Sequence, residues 1–171
     1  MDAIAFNRIR WDNASPAGRQ RILNDFFAQV NGILGHIPRY ALAFRDLDAG
    51  TSGRYNRRTG LITINTRYLQ DDSSLQMIEN CEEAMFTVIH EARHEFQHNA
   101  TRSSTSFRVS VETRNHWRDN MNRYVGPRSG VAHFAQPIEW DAWNFEGNAG
   151  RIRPVIKDEE LVPVYEGSWP W

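Results

Sequence analysis

Ile78, Cys81, Met85, Ile89, Ala92 and Phe96 recur at steps of three or four residues. Such steps line side chains along one stripe of an α-helix and fit no strand, whose side chains alternate with a period of two. The spacing predicts one long amphipathic helix over roughly 74–99. Asp71, Asp72, Ser73 and Ser74 supply capping groups and negative charge suited to its N-terminus. Cys81 lies on the stripe and reads as a core residue. As the sole cysteine it permits no intramolecular disulfide and no cysteine-only metal site.

The remaining chain supplies partners for that stripe. Ser15-Pro16 marks a helix start, and Ile22, Leu23, Phe26, Phe27, Val30, Ile33 and Leu34 continue at helical spacing up to Gly32–Gly35. Residues 39–70 read as β structure: a strand at Tyr40–Phe44, then Gly53–Tyr55 and Leu61–Asn65 flanking a turn over Asn56–Gly60. Leu61–Asn65, just before the long helix, is expected to offer an edge to an extended peptide. A polar loop at 100–106 precedes a weaker helix over 107–124, broken by Gly126, Pro127 and Gly130. Pro137 opens another helix, read as ending near Gly147. Pro154, Pro163 and Pro170 make the tail extended or irregular. The fold class expected is α+β, a small β-sheet packed against helices, as one domain over 1–171.

Composition excludes several classes. Twenty basic against 21 acidic residues give a formal charge of −1, so there is no broad electrostatic footprint for nucleic acid. No run approaches the roughly 18 apolar residues that span a bilayer. The N-terminus, with Asp2, Asn7, Arg8 and Arg10, lacks a signal-peptide profile. The expected setting is cytoplasmic, or delivery without a cleavable signal.

The chemistry sits on the second half of the long helix, where His90-Glu91-Ala92-Arg93-His94 forms H-E-x-x-H. Residues i and i+4 lie one turn apart on one face, so two imidazoles can hold one zinc ion (Zn2+) at about 2.0–2.1 Å each. Glu91 can then take a proton from a metal-activated water that attacks a carbonyl. Ile89, Ala92 and Phe96 bury the opposite face. A second register, His94-Glu95-Phe96-Gln97-His98, has the same form. Three ligands on one straight helix would spread over about 12 Å, so the third ligand must come from elsewhere. Glu139 is the candidate, with Asp141 as rival; Glu139, Ala142, Trp143 and Glu146 fall on one helix face, and small Ala142 permits close approach. Either carboxylate can also serve the helix dipole alone. Arg93, off the ligand face, is expected to pair with a carboxylate.

A helix-borne H-E-x-x-H followed by E-x-x-A on a second helix resembles the gluzincin group of zincin metallopeptidases. The resemblance implies a zincin-like fold, His90 and His94 as ligands, Glu91 as base, Glu139 as third ligand and Ala142 at the small position. Ile89–His94 with Gln97, then Pro137, Glu139, Asp141, Ala142 and Phe145, is similar to small metallopeptidase domains of bacterial polymorphic toxins and prophage effectors; Gly53, Tyr55, Ile62, Ile64 and Asn65 extend the likeness. It covers roughly 53–146. The segment from His94 to Glu139 is longer than in compact gluzincins such as thermolysin and implies an inserted element near 100–134. His116, Tyr124 and His133 lie there and can assist as oxyanion stabilisers. The function implied is zinc-dependent hydrolysis of peptide bonds, with a protein or peptide substrate and, for a toxin, an immunity partner. The alternatives are a cell-wall amidase of the same chemistry, with Trp169 and Trp171 available to stack on sugars, a non-catalytic metal-binding interaction protein, and a di-iron carboxylate protein.

Overall fold

In a computed structural model of the chain, Ser15 caps the first helix, α1 (Pro16–Leu34), by accepting the Gly18 amide at 3.2 Å. Gly35 ends it at φ 64°, a left-handed conformation that glycine takes without Cβ strain. The structure describes residues 11–70, 74–102, 107–126, 129–150, 154–157 and 160–163. The caps read at Asp71–Ser73 and the tail residues Pro170, Trp169 and Trp171 lie outside them. Buried Arg19 donates to the carbonyls of Leu69 and Gln70, tying α1 to the segment that enters the long helix.

Three strands form a small mixed sheet: β1 (Ala43–Arg45), β2 (Gly53–Asn56) and β3 (Leu61–Asn65), in the order β1-β3-β2. β3 pairs parallel with β1 and antiparallel with β2, Asn56 lying opposite Leu61. The hairpin lies where the sequence placed it. Two expectations fail. The strand read at Tyr40–Phe44 starts only at Ala43, because the Leu42 amide donates to Asn24 Oδ1 of α1 and is lost to the sheet. Leu61–Asn65 is no edge: it is the central strand, both flanks being hydrogen-bonded, and its Ile62 and Ile64 enter the core. The edges are β1 and β2.

A 3-10 turn (Thr66–Leu69) leads to α2 (Ser74–Arg102), which carries the stripe. Cys81, Ile89, Ala92 and Phe96 are buried as the periodicity requires. α3 (Val111–Asn122) is shorter than the 107–124 expected, because Ser110 caps it by accepting the Thr113 amide at 3.0 Å. After the single turn α4 (Val131–Phe134) comes α5 (Pro137–Gly150), which runs past Gly147 because that glycine does not adopt the left-handed conformation that ends helices. β4 (Pro154–Lys157) and β5 (Glu160–Pro163) pair antiparallel. The class is α+β, mostly helical with the one small three-stranded sheet. α2 is central, packing on α1, β2, β3, α3 and α5. Among the described residues no helix is long and apolar enough to cross a membrane.

One close approach ties the sheet to α2. A Cβ at Gly53 would run into the Thr87 methyl and lie 3.4 Å from Glu91 Cγ. Replacing an unconstrained glycine by alanine ordinarily stabilises, through the unfolded chain. Here the sign reverses. Gly53→Ala is expected to cost about 1–3 kcal/mol in urea unfolding, and adding Thr87→Ser, which removes that methyl, should recover part of it, the Thr63 carbonyl oxygen at 3.1 Å remaining close. An unchanged midpoint in Gly53→Ala would show that the contact relaxes freely.

Candidate metal centre

His90 and His94 stand one turn apart on α2 with their Nε2 atoms 3.1 Å from each other. Glu139 reaches them from the first turn of α5, its Oε2 lying 3.5 Å from His90 Nε2 and 3.4 Å from His94 Nε2. Adjacent ligand atoms around a tetrahedral zinc with bonds of about 2.0–2.1 Å are about 3.3 Å apart. The three observed separations bracket that value, so the donor set fits the face of such a tetrahedron. These residues form the one group of three or more metal-ligating side chains found among the described residues.

The local sequence explains how Glu139 arrives. Pro137 starts α5, and buried Ala142, one turn on, brings no bulk to the face turned toward α2. The start of α5 is fixed from behind by α3: Asn120 Oδ1 accepts the Ile138 amide, and its Nδ2 donates to Gln136 Oε1. Gln136 also bonds both the amide and the carbonyl of Val125. Glu139 is thus placed by packing, as well as lying where a helix N-terminus favours a negative charge.

Burial works against charge on His90 and Glu139, yet specific contacts decide. His90 is disfavoured as a cation by burial, but hydrogen bonds to Glu139 and Glu146, with the nearby Glu91 charge, raise its pKa to about 10. Burial raises Glu139, whereas the hydrogen bond from His90, then the contact with the His94 ring and the hydrogen bond from Tyr124, outweigh it and hold the carboxyl well below its ordinary range. Burial, then the Glu139 charge, pushes the Tyr124 phenol up. It therefore stays a neutral donor, and its hydroxyl donates to Glu139 Oε1 at 2.9 Å, leaving Oε2 for the metal face.

Glu91 is 8% exposed and lies beside β2. Among the described residues its carboxylate has no hydrogen-bond or ion-pair partner, and neither oxygen is sealed from solvent. His133 Nε2 approaches Glu139 Oε2 at 3.6 Å, while its Nδ1 faces the Tyr124 hydroxyl at 3.4 Å and the Val125 carbonyl at 3.3 Å. Tyr124 and His133 therefore both belong to the surroundings of the group. His116 does not: it is exposed on α3, whose inward face is given by Trp117 and Met121.

Two alternatives left open by the sequence are decided by neighbours. Asp141 is no part of the group, because it accepts from Arg93 Nε at 2.8 Å, Arg93 Nη2 at 3.1 Å and Gln97 Nε2 at 2.6 Å. The His94–His98 register is not assembled either. His98 Nδ1 pairs with the Tyr55 hydroxyl at 2.7 Å, and burial first, then Arg102 and Arg57, lower its pKa.

Sequence reasoning missed three contributors. Glu146 Oε2 accepts from His90 Nδ1 at 3.0 Å, Gln97 meets His94 at 2.9 Å, and the Trp143 ring stands 4.7 Å from the His90 ring. Helical spacing held the signal for each. Glu146 and Trp143 share the Glu139 face, and Gln97 lies three residues beyond His94. Phe134 adjoins Trp143, so two aromatic rings border the group. Comparison with known proteins finds no matching family model, no matching curated protein and no matching solved structure.

Proposed function

We propose that this chain is a zinc-dependent metallopeptidase of zincin-like, gluzincin type, with α2 as its active-site helix. The observation that carries the reading is the triangle of His90 Nε2, His94 Nε2 and Glu139 Oε2, at tetrahedral spacing beside a Glu91 carboxylate with no partner among the described residues. Zinc in such a site supplies Lewis acidity toward a carbonyl and acidifies the water it holds. Glu91 takes the proton of the attacking water at its carboxylate and passes it to the leaving amine. Tyr124, kept neutral, holds Glu139 through Oε1, and His133 stands beside Oε2, so both assist by orienting that carboxylate. The likeness to toxin and effector domains extends the proposal to a delivered domain acting on a protein, with an immunity partner. The exposed pair Phe134 and Trp143 beside His90 favours a second reading, a cell-wall amidase whose sugars stack on those rings.

Equilibrium dialysis of the purified chain is expected to give one zinc per chain, with chelator-sensitive cleavage of a peptide library; cleavage of peptidoglycan fragments alone selects the second reading. His90, with its pKa at about 10, carries a proton in the metal-free protein at neutral pH. Zinc must displace it, so affinity should rise roughly tenfold per pH unit between about pH 6 and 9. Calorimetry in buffers of different ionisation enthalpy would register the released proton. A chain that binds no zinc, or binds it with pH-independent affinity, overturns the assignment of the site.

A further inference from the structure

A chain of four side chains runs from the α2–α5 interface to one ligand. Arg93 is 3% exposed, lies over the rings of Phe96, Trp117 and Phe145, and grips Asp141 through two nitrogens. Asp141 accepts from Gln97 Nε2, and so does the Ile138 carbonyl at 2.9 Å. Gln97 is fully buried, and its remaining amide atom, Oε1, faces His94 Nδ1 at 2.9 Å.

The amide has one orientation compatible with these partners. Its two N–H bonds meet two acceptors, a carbonyl and a carboxylate that cannot donate. Turning the amide over would set Oε1 against both acceptors, one of them ionised, inside a buried interface where unpaired groups are most costly. Oε1 therefore has to accept from His94 Nδ1, and His94 Nδ1 has to carry the hydrogen. That leaves a lone pair on Nε2, aimed at His90 Nε2 and Glu139 Oε2.

We propose that Gln97 is a positioning residue that holds His94 in the Nδ1–H tautomer, and that Arg93 and Asp141 act through it by fixing the amide. The inference rests on the metallopeptidase reading for its purpose, but its geometry does not require a bound ion. Its consequence is a coupled assembly. α5 delivers Glu139 to the site and, with Ile138 and Asp141, sets the electronic state of a ligand on α2. The hydrogen bond at Nδ1 is the contact that fixes ring orientation and basicity in histidine metal sites.

The test uses the full chain with 15N-labelled histidine. Long-range 1H–15N spectra of the metal-free wild type are expected to show His94 protonated at Nδ1 and not at Nε2. Gln97→Met, of similar length and without an acceptor, should let the tautomers mix and should weaken zinc binding by about 10–100-fold. Gln97→Glu restores an acceptor for Nδ1 while losing both donors to α5. It should unfold at lower urea than the wild type, yet keep the Nδ1–H tautomer and bind zinc better than Gln97→Met. A merely structural role predicts no such split. A wild-type His94 protonated at Nε2, or a Gln97→Met variant with unchanged tautomer and affinity, overturns the proposal. Because the tautomer is read without metal, a chain that binds no zinc removes the metallopeptidase reading and leaves this arm of the test intact.

Discussion

Glu91→Gln is expected to lower peptide hydrolysis by about 10²–10⁴-fold, the range contributed by a positioned general base, while zinc stays bound with near wild-type affinity. Glu91 is not one of the three clustered donors, so the ion should not sense its loss. The change is also structurally mild. The carboxylate has no hydrogen-bond or ion-pair partner among the described residues, so the amide displaces no contact and fits the same space beside β2. Parallel measurement of kcat/KM and zinc content separates the outcomes. Full activity in a zinc-loaded Glu91→Gln chain would falsify the assigned mechanism, and loss of zinc together with activity would make Glu91 a ligand.

Glu139→Ala should have the opposite signature, loss of the metal first. If a protein zinc site is worth about 10–16 kcal/mol over its ligands, removing one of three should weaken binding by roughly 10²–10³-fold or more. The metal-free protein responds as well, and the sign follows from the pKa shifts. Glu139 lies below its ordinary 4.5 in the folded chain, so its contribution to stability is present above that value and is lost as pH falls. His90 is raised from 6.5 to about 10, so its contribution is present below 6.5 and is lost as pH rises through 10. The stability gap between wild type and Glu139→Ala should therefore be widest between about pH 4.5 and 6.5 and shrink on both sides. Urea unfolding in the presence of chelator measures it. A gap that keeps widening up to pH 9 would mean that the His90–Glu139 contact does not govern the apo protein.

Much of this site could be read from residue order, because helical spacing is local. His90 and His94 share a face whatever the rest of the chain does, and the stripe through Ile89, Ala92 and Phe96 says which face. The choice of Glu139 over Asp141 also had a local component, in Ala142, but it was decided by Arg93 and Gln97, whose contacts cross between helices. No spacing rule ranks such contacts. The sheet was legible as a hairpin, whose turn links neighbouring strands, and illegible in its order. β1 inserts beside β3 in parallel, a pairing fixed by long-range packing, and that converted a supposed edge into a centre. The start of β1 was misplaced for a similar reason: the competing acceptor, Asn24, belongs to a distant helix. His116 shows the limit of listing residue types in a segment, since its neighbour Trp117 takes the inward position and turns the imidazole outward.

The third donor of the group enters from a helix separated from the other two by the whole of 95–138. An ion held by His90, His94 and Glu139 would thus close a long ring in the polypeptide, as a cross-link does. Ring closure removes freedom from the denatured ensemble, and that loss grows only slowly with ring size. The ion would act as a removable staple around α3 and α4, elements that otherwise contribute few large buried side chains of their own. The metal-free chain would be the more easily unfolded form, so that completing the site and locking this half of the fold would be two sides of one binding event.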